Sequence, residues 1–294
     1  METAVASASI LGALFIITGN SGTLVSCWRC RRLQTIPNMY VCSLALADLL
    51  VGLVVLIRGA LSFPSTGETF EHDKYFCLCV VSLMFTSVAS SMFSSSLVAC
   101  DRYVFIRYPL RYDSLITRKG SLTSIAISWC VAVVYGFVPI RWSHFDSADD
   151  CAPTHIFPYQ YIIIIHPFVF FSLSALTFTL HGKICRIALQ HHTRIRAETL
   201  AAHHRIYSCT TGRSAEDRSS WKMMKAMVLA FGLFFLCWCP LLVVTYLEYT
   251  VHVNHTALSV AGLFGVLNSG KNCLVLVAMN RDFRREFKLL FGCK

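Results

Sequence analysis

Asp48, Arg58, Asp101, Arg102 and Lys271 stand within or at the ends of long apolar runs. A charge in such a run is costly unless it has a partner or a task. Asp48 is a lone carboxylate deep in its run, with hydrogen-bonding neighbours as its plainest requirement. The Arg58 guanidinium suits a carboxylate or sulfate, which it can hold bidentately. It reads equally as a side chain snorkelling to an interface or pairing with Glu68 or Glu71. Asp101 and Arg102 are adjacent, and an ion pair between them would hold the guanidinium down. Catalytic and metal chemistry find no constellation. No His-Glu-x-x-His run occurs, and the pairs His191-His192 and His203-His204 lie in a polar, basic segment. Adjacent histidines point to different faces of a helix, so they do not converge on one ion. The chain is not read as an enzyme.

The elements that position these residues follow from composition. Hydrophobic residues make up 55% of the 294 residues and charged residues 14%, against about 25% charged in ordinary globular proteins. That excludes a disordered chain. About 20 apolar residues cross a bilayer as a helix. Seven stretches qualify, about 4–28, 39–61, 76–105, 121–140, 159–187, 223–249 and 257–279. They predict an all-α membrane protein, a seven-transmembrane helix bundle forming one domain over 1–294. A short amphipathic stretch, 281–292, follows, with Phe283, Phe287, Leu290 and Phe291 at helical spacing. It suits a helix lying on the membrane surface.

Net charge is +10, and its placement explains it. Basic residues gather in 26–38, 102–120, 181–225 and 281–294, while Asp146, Asp149 and Asp150 lie on the opposite side. Basic loops stay cytoplasmic. The N-terminus is therefore expected outside and the C-terminus inside, with some attraction to anionic membrane lipids. No nucleic acid is needed. The first apolar run lacks a basic leader and reads as a span, not a signal peptide. Asn254-His255-Thr256 is a glycosylation acceptor in the last outside loop, and Cys293 a palmitoylation candidate. Fourteen cysteines are present. Cys77 and Cys151 lie where the oxidising outside permits a disulfide, with Cys79 as an alternative partner.

Six of the seven spans each carry a distinctive residue or motif. Gly19-Asn20 lies in the first, Leu44-Ala45-Leu46-Ala47-Asp48 in the second, Asp101-Arg102-Tyr103 at the end of the third and Trp129 in the fourth. Cys237-Trp238-Cys239-Pro240 lies in the sixth, with Asn268-Ser269 and Asn272 in the seventh. In order and over nearly the whole chain, the set resembles the rhodopsin-like (class A) G-protein-coupled receptors. The resemblance implies a plasma-membrane receptor coupled to a heterotrimeric G protein through Asp101, Arg102 and Tyr103, with arrestin as a further partner. It implies a switch of Phe234, Trp238, Pro240 and Asn272, and a sodium site of Asp48, Ser91, Asn268 and Ser269, with no other cofactor. Lys271 is awkward for that site. One residue is about 100° of helix rotation, so beside Asn272 it is expected on another face. The seventh span reads Asn272-Cys273-Leu274-Val275-Leu276, without the family's proline and tyrosine, and the fifth has Pro167 nearer its outer end and His181 in place of a tyrosine. Ser220 replaces the acidic partner of Arg102 on the sixth.

Counting from these anchors, the family's ligand pocket falls on Met84, Phe85, Val88, His166, Leu241, Leu242, Thr245, Leu263 and Val266, near Arg58. Such an apolar lining suits a small molecule. Met84 stands where amine receptors carry an aspartate. An apolar cavity with one cation suggests an amphipathic organic anion, such as a bile acid or other lipid. Cys151 followed by Ile156-Phe157-Pro158 looks like the bile-acid receptor, while Leu44 to Gly52 and Arg107 to Tyr112 look like adenosine receptors. Thr245 stands where the adenosine group has asparagine. The resulting expectation is a receptor for a small, largely apolar ligand. The alternatives are a signalling-silent decoy or partner, then a purine or peptide receptor. A retinal-binding opsin is disfavoured because Lys271 lies too far inward.

Overall fold

The third long helix is the most enclosed element, and the others are arranged about it. The computed structural model describes residues 2–63, 73–148, 150–203, 232–249, 251, 253 and 255–292. Its long helices are α1 (Glu2–Arg29), α2 (Ile36–Leu61), α3 (Lys74–Arg107), α4 (Arg118–Phe137), α5 (His166–His203), α6 (Gly232–Glu248), α7 (His255–Met279) and α8 (Arg281–Leu290). Six are long and apolar enough to cross a membrane, and the described part of α6 is a shorter apolar helix. No strand occurs among the described residues. The chain is thus an all-helical bundle of the seven-span kind.

Local chemistry sets several boundaries. Asp73 caps α3 by accepting from the Phe76 N–H at 2.8 Å, and Thr117 caps α4 through Gly120. Asn280 starts α8 by accepting from Asp282 N–H at 2.9 Å. Each cap satisfies a donor that the first helical turn leaves orphaned. A wide π turn, Tyr161–Ile165, leads into α5 just before Pro167. Proline lacks the N–H and its ring crowds the preceding turn, so the regular ladder is interrupted there. Beyond it α5 outlasts its apolar run and stays helical to His203, where the apolar pattern ends near 187.

Packing follows the rule for membrane helices, with small residues at close approaches and polar side chains as ties. α3 packs on α2, α4 and α5, and α1 packs on α2, α7 and α8. A Cβ added at Gly136 would meet the Thr86 hydroxyl and lie 2.6 Å from the Ser82 carbonyl. One at Gly19 would lie 2.5 Å from Cys273 Sγ. The Trp129 indole donates to Ser43 Oγ at 3.0 Å, and Ser43 bonds Ser94 at 2.9 Å, tying α4, α2 and α3 together. At the far end of α1, Cys27 and Leu33 bury Phe283 of α8. The apolar face of α8 therefore packs partly on the bundle. Cys27 and Cys30, although spaced as a thiol pair, are both free.

Candidate functional site

Asp48 sits fully buried at the centre, where α2, α3 and α7 meet. Its Oδ1 accepts from Ser91 Oγ at 2.7 Å and its Oδ2 from Asn272 Nδ2 at 2.8 Å. Asn268 and Ser269 are buried nearby, and Asn20 donates to the Ser269 carbonyl at 3.4 Å. The Asn268 Oδ1 has no hydrogen-bond partner among the described residues. A cavity of about 70 Å³ adjoins this cluster, lined by Ser91, Ser96, His181, Asn268, Lys271 and Asn272 among others. That is room for a few waters. Lys271 does not turn away as the single-step rotation suggested. Positions i, i+3 and i+4 share one helix face, so Asn268, Lys271 and Asn272 line the cavity together.

At the opposite end of α3 from the disulfide, Arg102 Nε lies 3.8 Å from Asp101 Oδ2. Asp101 is buried and also accepts from the Tyr112 hydroxyl at 2.6 Å. Tyr112 comes from a single helical turn, Tyr112–Leu115, after α3. Burial, and then this bond to Asp101, push its hydroxyl well above the ordinary tyrosine range. Asp101 is thus shared between a neutral donor and the half-buried guanidinium. Ser220, Glu216 and Asp217 lie outside the described residues.

Trp238 is buried against Phe170 of α5, with Val88, Leu241, Leu242 and Val266 in the same cluster. Phe234 stacks on Phe170 with centroids 5.4 Å apart and planes 8° from parallel. The Lys271 ammonium lies 5.3 Å from the centre of the same Phe234 ring. Pro240 lies two residues after Trp238 on α6. Phe170 thus joins α5 to Phe234 and Trp238, a contact its sequence position did not signal.

The disulfide joins Cys77 to Cys151, with Cα atoms 5.9 Å apart, and Cys79 is a free, exposed thiol. Past the bridge, one helical turn, Pro153–Ile156, directs Ile156 and Phe157 inward to full burial. Phe157 meets Phe85 at 5.7 Å between centroids, and Tyr161 and His166 meet it at 5.3 and 5.2 Å. The Tyr135 hydroxyl and His166 Nδ1 share a hydrogen bond of 2.5 Å. At the same end, Lys74 pairs with Asp146 at 2.6 Å, and His155 Nδ1 and Asp150 Oδ1 share a hydrogen bond of 2.6 Å.

This arrangement divides the expected ligand pocket. Val88, Leu241, Leu242 and Val266 gather around Trp238. Phe85 and His166 join a separate aromatic cluster that the loop residue Phe157 completes. Leu263 lies on the side of α1, near Gly12. Arg58 is half-buried near the end of α2. Met84 and Thr245 are half-buried on α3 and α6. A wider cavity of about 690 Å³ opens instead between the outer ends of α4 and α5, lined by Val134, Trp142, His144, Gln160 and Tyr161 among others. None of the expected pocket residues lines either cavity. Asn254, Cys293, Glu68 and Glu71 lie outside the described residues.

The motifs and this geometry agree with known proteins. The family described as 7 transmembrane receptor (rhodopsin family) matches residues 19–275. The D(1B) dopamine receptor of Xenopus laevis is 26% identical over 98% of this chain and 71% of its own length. The histamine H2 receptor of Canis lupus familiaris is 26% identical over 97% of this chain and 79% of its own. The D(1A) dopamine receptor of Didelphis virginiana is 27% identical over 98% and 73%. A family match over most of the chain, with the motif residues of α2, α3 and α7 in mutual contact, has one meaning: this chain belongs to the rhodopsin family of seven-transmembrane receptors, a class A G-protein-coupled receptor.

Proposed function

We propose that this receptor stands in the plasma membrane, N-terminus outside and C-terminus inside, and activates heterotrimeric G proteins when a small, largely apolar ligand binds. The observation that carries the coupling is the Asp101–Arg102 pair at the end of α3, steadied by Tyr112. Among the described residues one 3.8 Å contact holds the guanidinium, which leaves it poised for release. The switch above it is Phe234 and Trp238, packed on Phe170 beside Pro240. Arrestin is expected to read the same face, and the basic residues of α8 to meet anionic lipid.

The ligand reading rests on side-chain chemistry. The relatives named above are called dopamine and histamine receptors. Met84 offers no carboxylate for an amine. The Val88, Leu241, Leu242 and Val266 group is apolar, which favours a bile-acid-like or other lipid ligand, with Arg58 as counter-ion for an acidic head. Replacing Arg58 with alanine is expected to weaken acidic ligands far more than neutral ones; equal losses would remove the organic-anion reading. The amine reading stays as the alternative that the relatives support. A silent receptor is favoured by one observation, the missing proline and tyrosine after Asn272.

A further inference from the structure

The family implies a sodium ion beside Asp48, and the oxygen-bearing side chains for one are present in Ser91, Asn268 and Ser269. Hard cations favour such ligands. Their arrangement here does not fit the ion. Both carboxylate oxygens of Asp48 already accept side-chain donors, Ser91 at 2.7 Å and Asn272 at 2.8 Å. One donor on each oxygen leaves Asp48 fewer lone pairs to offer a cation. The cavity alongside also contains a lysine side chain. Lys271 lines it together with Ser91, Asn268 and Asn272.

Two fixed positive charges do not share a small low-dielectric space without strong repulsion. A sodium ion entering this cavity would face the Lys271 ammonium. A lysine on a membrane helix is itself retained only with partners. The Phe234 ring face lies 5.3 Å from the Lys271 Nζ, and the polar side chains of Asn268, Ser96 and Thr177 line the same cavity; among the described residues the Asn268 Oδ1 has no hydrogen-bond partner. Ser91 and Asn272, which hold Asp48, line the same cavity.

We infer that the Lys271 ammonium is the resident cation of the cavity beside Asp48, taking the place of sodium, so that this receptor is insensitive to sodium. The tethered charge cannot be diluted away, and it links the Asp48 cluster to Phe234 of the switch. A free ion would link them only while bound. The inference goes beyond the signalling proposed above and does not need it, because its readout is stability.

The test is the melting temperature of the full-length, detergent-purified receptor in sodium chloride against choline chloride at equal ionic strength. A ligand that binds only the folded state raises the melting temperature by mass action. The wild type is expected to melt at the same temperature in both salts. Lys271→Met removes the charge at similar volume and is expected to gain a sodium-specific rise of several degrees. Asp48→Asn combined with Lys271→Met is expected to lose that rise. A sodium-specific rise in the wild type overturns the inference, as does a folded Lys271→Met without one. Where Lys271→Met does not fold, the double variant, in which both charges are gone, is expected to recover folded yield. No recovery would show that Lys271 is not balanced by Asp48, and would also overturn it.

Discussion

Asn272 Nδ2 lies 2.8 Å from Asp48 Oδ2, a direct bond from α7 to α2 at the buried centre of the bundle. Asn272 is the residue that survives of a family motif otherwise lost here. Its bond means that α7 stays anchored to the centre without the proline and tyrosine. Replacing Asn272 with alanine leaves a buried carboxylate short of a donor, which costs about 1–3 kcal/mol. The melting temperature of the purified receptor should fall by several degrees. An unchanged value would mean that the bond contributes nothing to the fold.

The Cys77–Cys151 bridge directs Ile156 and Phe157 under the outer loop. Loss of a native disulfide typically costs 2–5 kcal/mol, on the order seen in small secreted domains. Cys77→Ser and Cys151→Ser should each lower surface expression, and the double variant should be no worse than either single. Phe157→Ala should reproduce part of the defect with the bridge intact. Normal surface levels in both cysteine variants would contradict the role given to the bridge.

At Gly136 α4 comes close to α3. Any Cβ there meets the Ser82 carbonyl and the Thr86 side chain, and the main-chain atom cannot move aside as a side-chain tip can. Gly136→Ala should destabilise by roughly 1–3 kcal/mol through overpacking, read as thermal stability in detergent. Gly232→Ala, whose added Cβ meets nothing within 4 Å among the described residues, should not destabilise, since alanine favours the helix over glycine.

The Tyr112 hydroxyl carries a raised pKa from burial and from its bond to Asp101. The sign follows from linkage. The folded state holds this proton more tightly than the unfolded state, whose tyrosine titrates near its ordinary value of about 10. The bond's contribution is therefore fully present below about pH 10 and lost as pH rises through the folded value. Melting temperatures of the wild type and Tyr112→Phe should differ by a constant amount from neutral pH to about pH 9, then converge. A gap that widens in alkali would contradict the hydrogen bond.

Much of the site was legible in the sequence because membrane charges and prolines are sparse and position-specific. Ser91 bonds Asp48 and Asp101 pairs with Arg102, residues that their motifs single out, while the Asn272 bond to Asp48 joins residues assigned to different motifs. What the sequence does not show depends on more than one residue at a time. Lys271 was assigned by a single helical step, but the face it occupies is set by Asn268, three residues earlier. The pocket was counted along the helices alone, whereas the loop residue Phe157 fills the space beside Phe85. Loop insertion depends on where the disulfide pulls the chain, and hydropathy does not encode it. Tyr112 lies in a polar stretch whose pattern gave no sign of its contact with Asp101. The open space between the outer ends of α4 and α5 likewise depends on helix splay, which periodicity does not report.

The most direct measurement is G-protein activation in cells across the Gα classes, comparing the wild type with Arg102→Ala at matched surface expression. Each is measured without ligand and then with bile acids, fatty acids, adenosine, dopamine and histamine. The account predicts a ligand-dependent signal in the wild type, for a bile acid or fatty acid in preference to an amine, which Arg102→Ala abolishes or strongly alters. Activation that Arg102→Ala leaves unchanged would contradict the role assigned to the Asp101–Arg102 pair. A wild type silent in every Gα class with every ligand would contradict the coupling itself and favour the silent receptor.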